Sequence, residues 1–298
     1  MVKNRSPHTR TVLQALLVTF LWSTSWVLIK IGLEEIPALP FAGLRYTLAF
    51  LFLLPFASRS GQLAALRRLR ASMWLRLLLL GLLFYTVTQG AQFLSLVYLP
   101  AMTTSLLLSF TTILVALLGI GLLRERPTAM QWACTGLYLT GVLAYFHPLA
   151  LPSGEVFGLI VACVGVLANA LSSILGRDVN RSAELEPMAI TVVSMGTGAV
   201  VLLAGGIAVQ GFPPLTLTHW AIILWMAVVN TAFAFTLWNR TLQTLSAMES
   251  SIINNTMLFQ IAILAWLFLD EPLGWRQVLG MVLAALGTLL VQIRSQGS

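Results

Sequence analysis

Apolar runs fill most of the chain, and polar punctuation divides them into ten segments: about 11–32, 38–57, 74–98, 101–123, 128–147, 154–176, 187–209, 218–242, 247–269 and 274–293. Each is long enough to cross about 30 Å of hydrocarbon as a helix rising about 1.5 Å per residue. Spanning strands are excluded, because the runs far exceed a membrane strand in length and do not alternate apolar with polar positions. The pattern predicts an all-α integral membrane protein with ten transmembrane helices.

The pattern also repeats. Residues 101–146 match 247–292 at a constant offset of 146 without a gap, with identical pairs that include Ala101/Ala247, Met102/Met248, Ser105/Ser251, Glu125/Glu271, Gln131/Gln277 and Gly141/Gly287. The same offset carries the starts of the first five segments to within about three residues of the starts of the last five. The chain therefore divides into a tail at 1–10, a first repeat at 11–147, a second at 154–293 and a second tail at 294–298. An odd number of crossings per repeat sets the two copies upside down relative to one another, and inverted repeats are a construction that carriers use.

Composition agrees with this class. Of 298 residues 58% are hydrophobic and 9% charged, with a mean hydropathy of +0.89, more apolar surface than a soluble domain can hide. Charge then orients the helices. With the amino terminus inside, the inner segments hold 14 of the 17 basic residues, from Lys3 to Arg294; the outer loops hold only Arg276, and Lys30 and Arg45 lie near the outer ends of segments one and two. That bias predicts both termini in the cytoplasm and a plasma (inner) membrane location. The net charge of +7 reports topology and contact with anionic lipid. Nucleic acid is not an expected partner, because the arginines lie in short membrane-proximal loops without interleaved aromatics. Monomer and homodimer both fit the pattern.

Lys3, Arg5 and Arg10 ahead of an apolar run resemble a secretory signal, but that run continues through Trp26 to Ile31 and is needed as the partner of 154–176, so its retention is expected. Cys134 and Cys163 fall within predicted helices, and neither spacing nor neighbours suggest a disulfide or a metal. No cofactor is expected. An embedded enzyme is disfavoured, since His8, His147 and His219 are scattered and no HExxH, paired aspartates or serine elbow occurs.

Polar side chains within the spans are the candidate chemistry, because each costs free energy in hydrocarbon unless it meets a partner or a wet cavity. In segment three, Tyr85, Thr88, Gln89, Gln92 and Ser95 are spaced to share one side of a helix. Segment one offers Trp22, Ser25 and Trp26, and segment six offers Asn169, Ser172 and Ser173. Segment eight adds Asn230, Trp238 and Asn239, and segment nine Ser250, Ser251, Asn254, Asn255 and Gln260. Two readings stand for each, cavity lining and interhelical glue. The amide pairs Gln89/Gln92 and Asn254/Asn255 favour the first, a lone serine the second. Under the offset Gln89 and Gln92 fall on Phe235 and Trp238, so helix-end markers persist in both copies while the polar positions diverge. The expected substrate-binding set is Trp22, Ser25, Tyr85, Gln89, Gln92, Asn169, Asn230, Trp238, Asn254 and Asn255.

Charged residues are fewer. Glu125 and Glu271 sit at turns between helices, where a carboxylate can accept hydrogen bonds from unpaired N–H groups and face the positive end of a helix dipole. Glu249 fits a capping box begun by Ser246, with a charge contact to solute as its alternative. Arg45 either holds a substrate carboxylate or snorkels to the interface beside Glu34 and Glu35. Glycines at 81, 90, 119, 121, 136, 141, 196, 198, 280 and 287 permit close helix contacts.

Trp22-Ser23 and Lys30 in segment one, Arg45 in segment two, Leu237-Trp238-Asn239 ending segment eight, and the turns Arg124-Glu125-Arg126-Pro127 and Asp270-Glu271-Pro272 followed by Gln131 and Gln277 give the chain its resemblance to the EamA branch of the drug/metabolite transporter superfamily. The resemblance implies a ten-helix carrier of two inverted five-helix repeats around a central cavity, lined by helices one, three, four, six, eight and nine. Members mostly export small metabolites such as amino acids, and some import them. Because no Asp or Glu lies near the middle of a span, the expected activity is alternating-access movement of a small neutral or zwitterionic metabolite without ATP, with export favoured and a facilitator pore or importer as the alternative. Amides, hydroxyls and tryptophans suit an amphipathic, amino-acid-like or drug-like solute.

Overall fold

The computed structural model describes residues 7–59, 66, 69–123, 129–147, 153–181, 184–241, 244–245 and 247–295. Regular structure among them is helical throughout. The α-helices are α1 (Pro7–Gly32), α2 (Ala38–Arg59), α3 (Ala71–Gly81), α4 (Gln89–Tyr98), α5 (Ala101–Ser109), α6 (Thr111–Leu123), α7 (Ala129–Phe146), α8 (Ser153–Arg181), α9 (Pro187–Gln210), α10 (Leu217–Ala227), α11 (Ala234–Thr241), α12 (Ala247–Phe268) and α13 (Trp275–Ser295). Two π-helical segments, Leu82–Thr88 and Val228–Phe233, join α3 to α4 and α10 to α11 without a break.

Among the described residues, six helical stretches are long and apolar enough to cross a bilayer: His8–Gly32, Ala38–Arg59, Ala71–Tyr98, Gly154–Asn180, Pro187–Gln210 and Leu217–Trp238. Shorter apolar helices, Ala101–Val115, Thr135–Phe146, Ile253–Phe268 and Trp275–Gly287, stand in the other four predicted segments. The protein is thus a multi-pass helical membrane protein with six clear spans, and the predicted run 101–123 is divided by a turn at Phe110. Large apolar side chains such as Phe56, Leu143, Ile160, Val209 and Phe268 are more than half exposed, which water would penalise and lipid does not.

The contacts group the chain into two compact units: Met1–Leu28 with Pro100–Pro152 and Phe233–Ser298, and Ile29–Leu99 with Ser153–Ala232. Both units draw helices from both halves of the sequence. In the second, α2 lies along α9 through small residues: a Cβ on Gly43 would meet the Cα of Leu203 at 2.5 Å, and one on Gly206 the Leu39 carbonyl carbon at 2.8 Å. Gly81 and Gly198 mark a second close crossing, and Met73, Leu77, Leu80, Val179 and Ile190 close the core between α3, α8 and α9. In the first unit, α7 and α13 meet at Gly141 and Gly280, where a Cβ on either would approach the other's carbonyl oxygen to 2.6–2.7 Å. Such backbone proximity raises dispersion contact between helices that lipid gives no hydrophobic reason to associate.

Candidate functional site

The π segments begin at Leu82 and Val228, which are 146 residues apart, so the widened turn occupies the same register in both sequence repeats. A π turn spends an extra residue and frees carbonyls from the i→i−4 ladder. Hydroxyls take them up: Thr88 Oγ1 donates to the Leu83 carbonyl at 2.8 Å, and Thr231 Oγ1 to the Met226 carbonyl at 2.9 Å, each five residues back. These segments carry Tyr85, Thr88, Asn230 and Thr231, all buried, and Gln89 follows directly.

Helix α2 serves both segments with consecutive residues. Arg45 donates from Nε to Thr231 Oγ1 at 3.0 Å, while the Tyr46 hydroxyl donates to Gln89 Oε1 at 2.6 Å. The Tyr46 ring meets the Tyr85 ring edge-on with centroids 5.6 Å apart. Neighbours on a helix point about 100° apart, which is how one turn of α2 reaches two other helices. The guanidinium of Arg45 lies 5.2 Å from the Tyr46 ring centroid and 6.0 Å from that of Phe93. Arg45 is buried within the protein, with 4% of its surface exposed. Glu35 is instead bound to His219, its Oε2 standing 2.9 Å from Nε2.

The expected site residues fall in two groups and some outliers. Arg45, Tyr85 and Gln89 come together in the second unit, with Tyr46 and Thr231 between them. Gln92 is half-buried one turn beyond Gln89, Asn169 is half-buried on α8, and Asn230 is fully buried beside Thr231. In the first unit, Trp22 packs on Phe235 and Trp238 with ring centroids at 5.2 and 5.3 Å, and its buried Nε1 has no acceptor among the described residues. Ser25 donates to the Trp22 carbonyl at 2.7 Å within its own helix. Asn255 is half-buried, and Asn254 is exposed on α12. Gln260 ties α12 to α1: its Oε1 accepts from Ser23 at 2.9 Å, and its Nε2 donates to Thr256 at 3.0 Å and Thr19 at 3.3 Å.

Glu271 is 9% exposed and accepts from the N–H groups of Ala101 at 2.5 Å and Met102 at 3.0 Å. The helix it caps is therefore α5, and not α13, which follows it in sequence. Asp270 takes a positive φ of 53° to bring the carboxylate there. Glu125 and the side chain of Glu249 lie outside the described residues, as do Ser246 and the side chain of Asn239.

Sequence reading missed Tyr46, Thr231 and the Thr216–His219 cap. For Thr231 a signal existed, since it stands 146 residues after Tyr85. In the cap, His219 Nδ1 accepts from the Thr216 N–H at 3.2 Å and Thr216 Oγ1 accepts from the His219 N–H at 3.3 Å, which gives that histidine a structural task.

Among the described residues, this helical membrane protein buries amides, hydroxyls and one arginine, Arg45, inside its spans. The family model of the EamA-like transporter family matches residues 9–146 and again 156–293, and the chain belongs to that family. It is 25% identical to "Uncharacterized transporter YoaV" of Bacillus subtilis over 94% of this chain and 96% of that protein. An "Uncharacterized transporter" of Archaeoglobus fulgidus is also 25% identical, over 95% and 97% of the two chains. "Protein PecM" of Dickeya dadantii is 25% identical over 74% of each. A solved crystal structure, 16% identical, superposes with a TM-score of 0.67 over 96% of this chain and 99% of its own, a likeness of fold. The family and the relatives from Bacillus subtilis and Archaeoglobus fulgidus carry the names of transporters.

Proposed function

We propose that the protein is a secondary transporter that moves a small neutral or zwitterionic metabolite across the plasma membrane, in the direction of export, by alternating access to a midplane site. Both termini face the cytoplasm in this reading, as the basic residues of the sequence require. The observation that carries it is the pair of π segments in register, each placing buried polar side chains in the middle of a span. Widened turns of this kind gather at functional sites, and polar groups at that depth are costly unless a solute or water meets them. Gln89 fits the role, for with Oε1 held by Tyr46 its NH2 group donates to no described residue and is free to meet a solute.

The test is the double variant Gln89→Leu/Gln92→Leu in proteoliposomes. The wild type, preloaded with the metabolite that most raises the unfolding midpoint of the purified protein, is expected to show saturable counterflow of the labelled compound. The double variant, eluting as monodisperse protein, is expected to lose about tenfold or more of that flux, the equivalent of one or two hydrogen bonds to solute. Unchanged flux removes both amides from the site, and flux that rises linearly with concentration in the wild type replaces the carrier with a pore.

A further inference from the structure

Arg45 is a buried cation that the protein itself leaves largely unanswered. Among the described residues no carboxylate stands within 4 Å of it, and Glu35, ten residues earlier, is engaged with His219. Only one of its five N–H groups, on Nε, finds an acceptor among the described residues, the hydroxyl of Thr231. Both Nη groups, which form the open fork of the guanidinium, have none. The rings of Tyr46 and Phe93 lie within cation–π range. Ring faces and one hydroxyl return only part of what a desolvated charge loses, so the position is expensive to keep for packing alone.

The geometry points to a missing anion. We propose that Arg45 is the residue that binds the transported solute, and that the solute presents a carboxylate to its Nη fork. The inference rests on the carrier reading above and adds the class of substrate. A guanidinium offers two parallel N–H donors that match the two oxygens of a carboxylate. Thr231 fixes Nε and thereby the plane of the fork, using an oxygen whose own proton is committed to the Met226 carbonyl freed by the π turn. The charge count argues against a phosphate dianion, because no second cation contacts Arg45 among the described residues, and one arginine balances one carboxylate. Against the guanidinium, Tyr46 and Phe93 supply ring surface, and Tyr46 in turn meets the Tyr85 ring and the Gln89 amide, so the body of the solute is apolar with room for a hydrogen-bonding group.

The experiment uses the full-length protein purified in detergent, its unfolding midpoint followed against the twenty proteinogenic amino acids and short monocarboxylic acids, each beside its amide. Stabilising compounds are expected to carry a free carboxylate and to lose their effect as amides. Arg45→Gln is expected to weaken their binding about thirtyfold or more, the loss that follows when one partner of a buried charge pair is removed, and Arg45→Lys, which keeps the charge without the fork, to fall between. A second readout separates binding from structure. Without ligand, the unfolding midpoint of Arg45→Gln is expected to equal or exceed that of the wild type, since an unanswered buried charge has been removed; a lower midpoint assigns Arg45 to packing and overturns the proposal. It is equally overturned if a stabilising solute lacks an anionic group, if carboxylates bind Arg45→Gln unweakened, or if no carboxylate in the panel stabilises the wild type. Counterflow in proteoliposomes distinguishes the two claims: neutral-solute exchange unaffected in Arg45→Gln leaves the carrier and removes the arginine, whereas Arg45-dependent carboxylate binding without exchange leaves the site and removes the carrier.

Discussion

Glu271 keeps a carboxylate in an apolar setting because two N–H groups at the start of α5 are turned toward it. Charge-assisted hydrogen bonds at a helix start are stronger than neutral ones, and the positive end of the helix adds to them. Glu271→Ala is expected to cost about 2 kcal/mol and Glu271→Gln about half of that, read as a lowered unfolding midpoint by tryptophan fluorescence in detergent. The sequence suggested the capping chemistry from the position of the glutamate at a turn. It did not identify the capped helix, because the partner lies 170 residues away and depends on packing within the unit. The same holds for Arg45 and Tyr46. Their burial becomes visible only once α2 lies against two other helices, whereas the side of the helix shared by Tyr85, Thr88, Gln89, Gln92 and Ser95 follows from spacing alone; Gln92 is half-buried and the other four are buried.

Among the elements, six of the ten apolar runs return as span-length helices and the other four as shorter apolar helices among the described residues, legible because hydrocarbon imposes length and composition on whatever crosses it. The π segments were not, since an i→i+5 turn has no residue signature of its own. The turn at Phe110 likewise escapes a pattern that is apolar throughout 106–123 apart from Ser109, Thr111, Thr112 and two glycines. Glycine positions in the sequence marked where helices can approach, but only contacts separate those that must be small. On α9, a Cβ at Gly206 would meet Leu39 and Pro40, while one at Gly205 meets nothing within 4 Å. Gly206→Val is expected to lose about 3 kcal/mol and most of the folded protein, and Gly205→Val to express and elute as the wild type. Size-exclusion profiles of the two variants side by side check this, and equal profiles would mean that α2 and α9 do not pack as described.

For the whole molecule, the register of 146 residues links sequence to mechanism. It predicts five crossings per repeat and therefore both termini on one side. Single cysteines placed near Met1 and Ser298 are expected to react only with a membrane-permeant maleimide in intact cells. The two compact units cut across the repeats, so helices from both halves interlock; five apolar helices have no water-driven reason to form a body by themselves. Identity of the solute was beyond the sequence, since amides and hydroxyls suit many compounds and Arg45 could be read there either as holding a carboxylate or as snorkelling.

The most direct test of the carrier itself is counterflow. Vesicles containing the purified protein are preloaded with the metabolite that most stabilises it and diluted into a trace of the labelled compound. The account predicts a transient accumulation above equilibrium that saturates with the internal load; labelled compound that only equilibrates, at a rate proportional to its concentration, would contradict it.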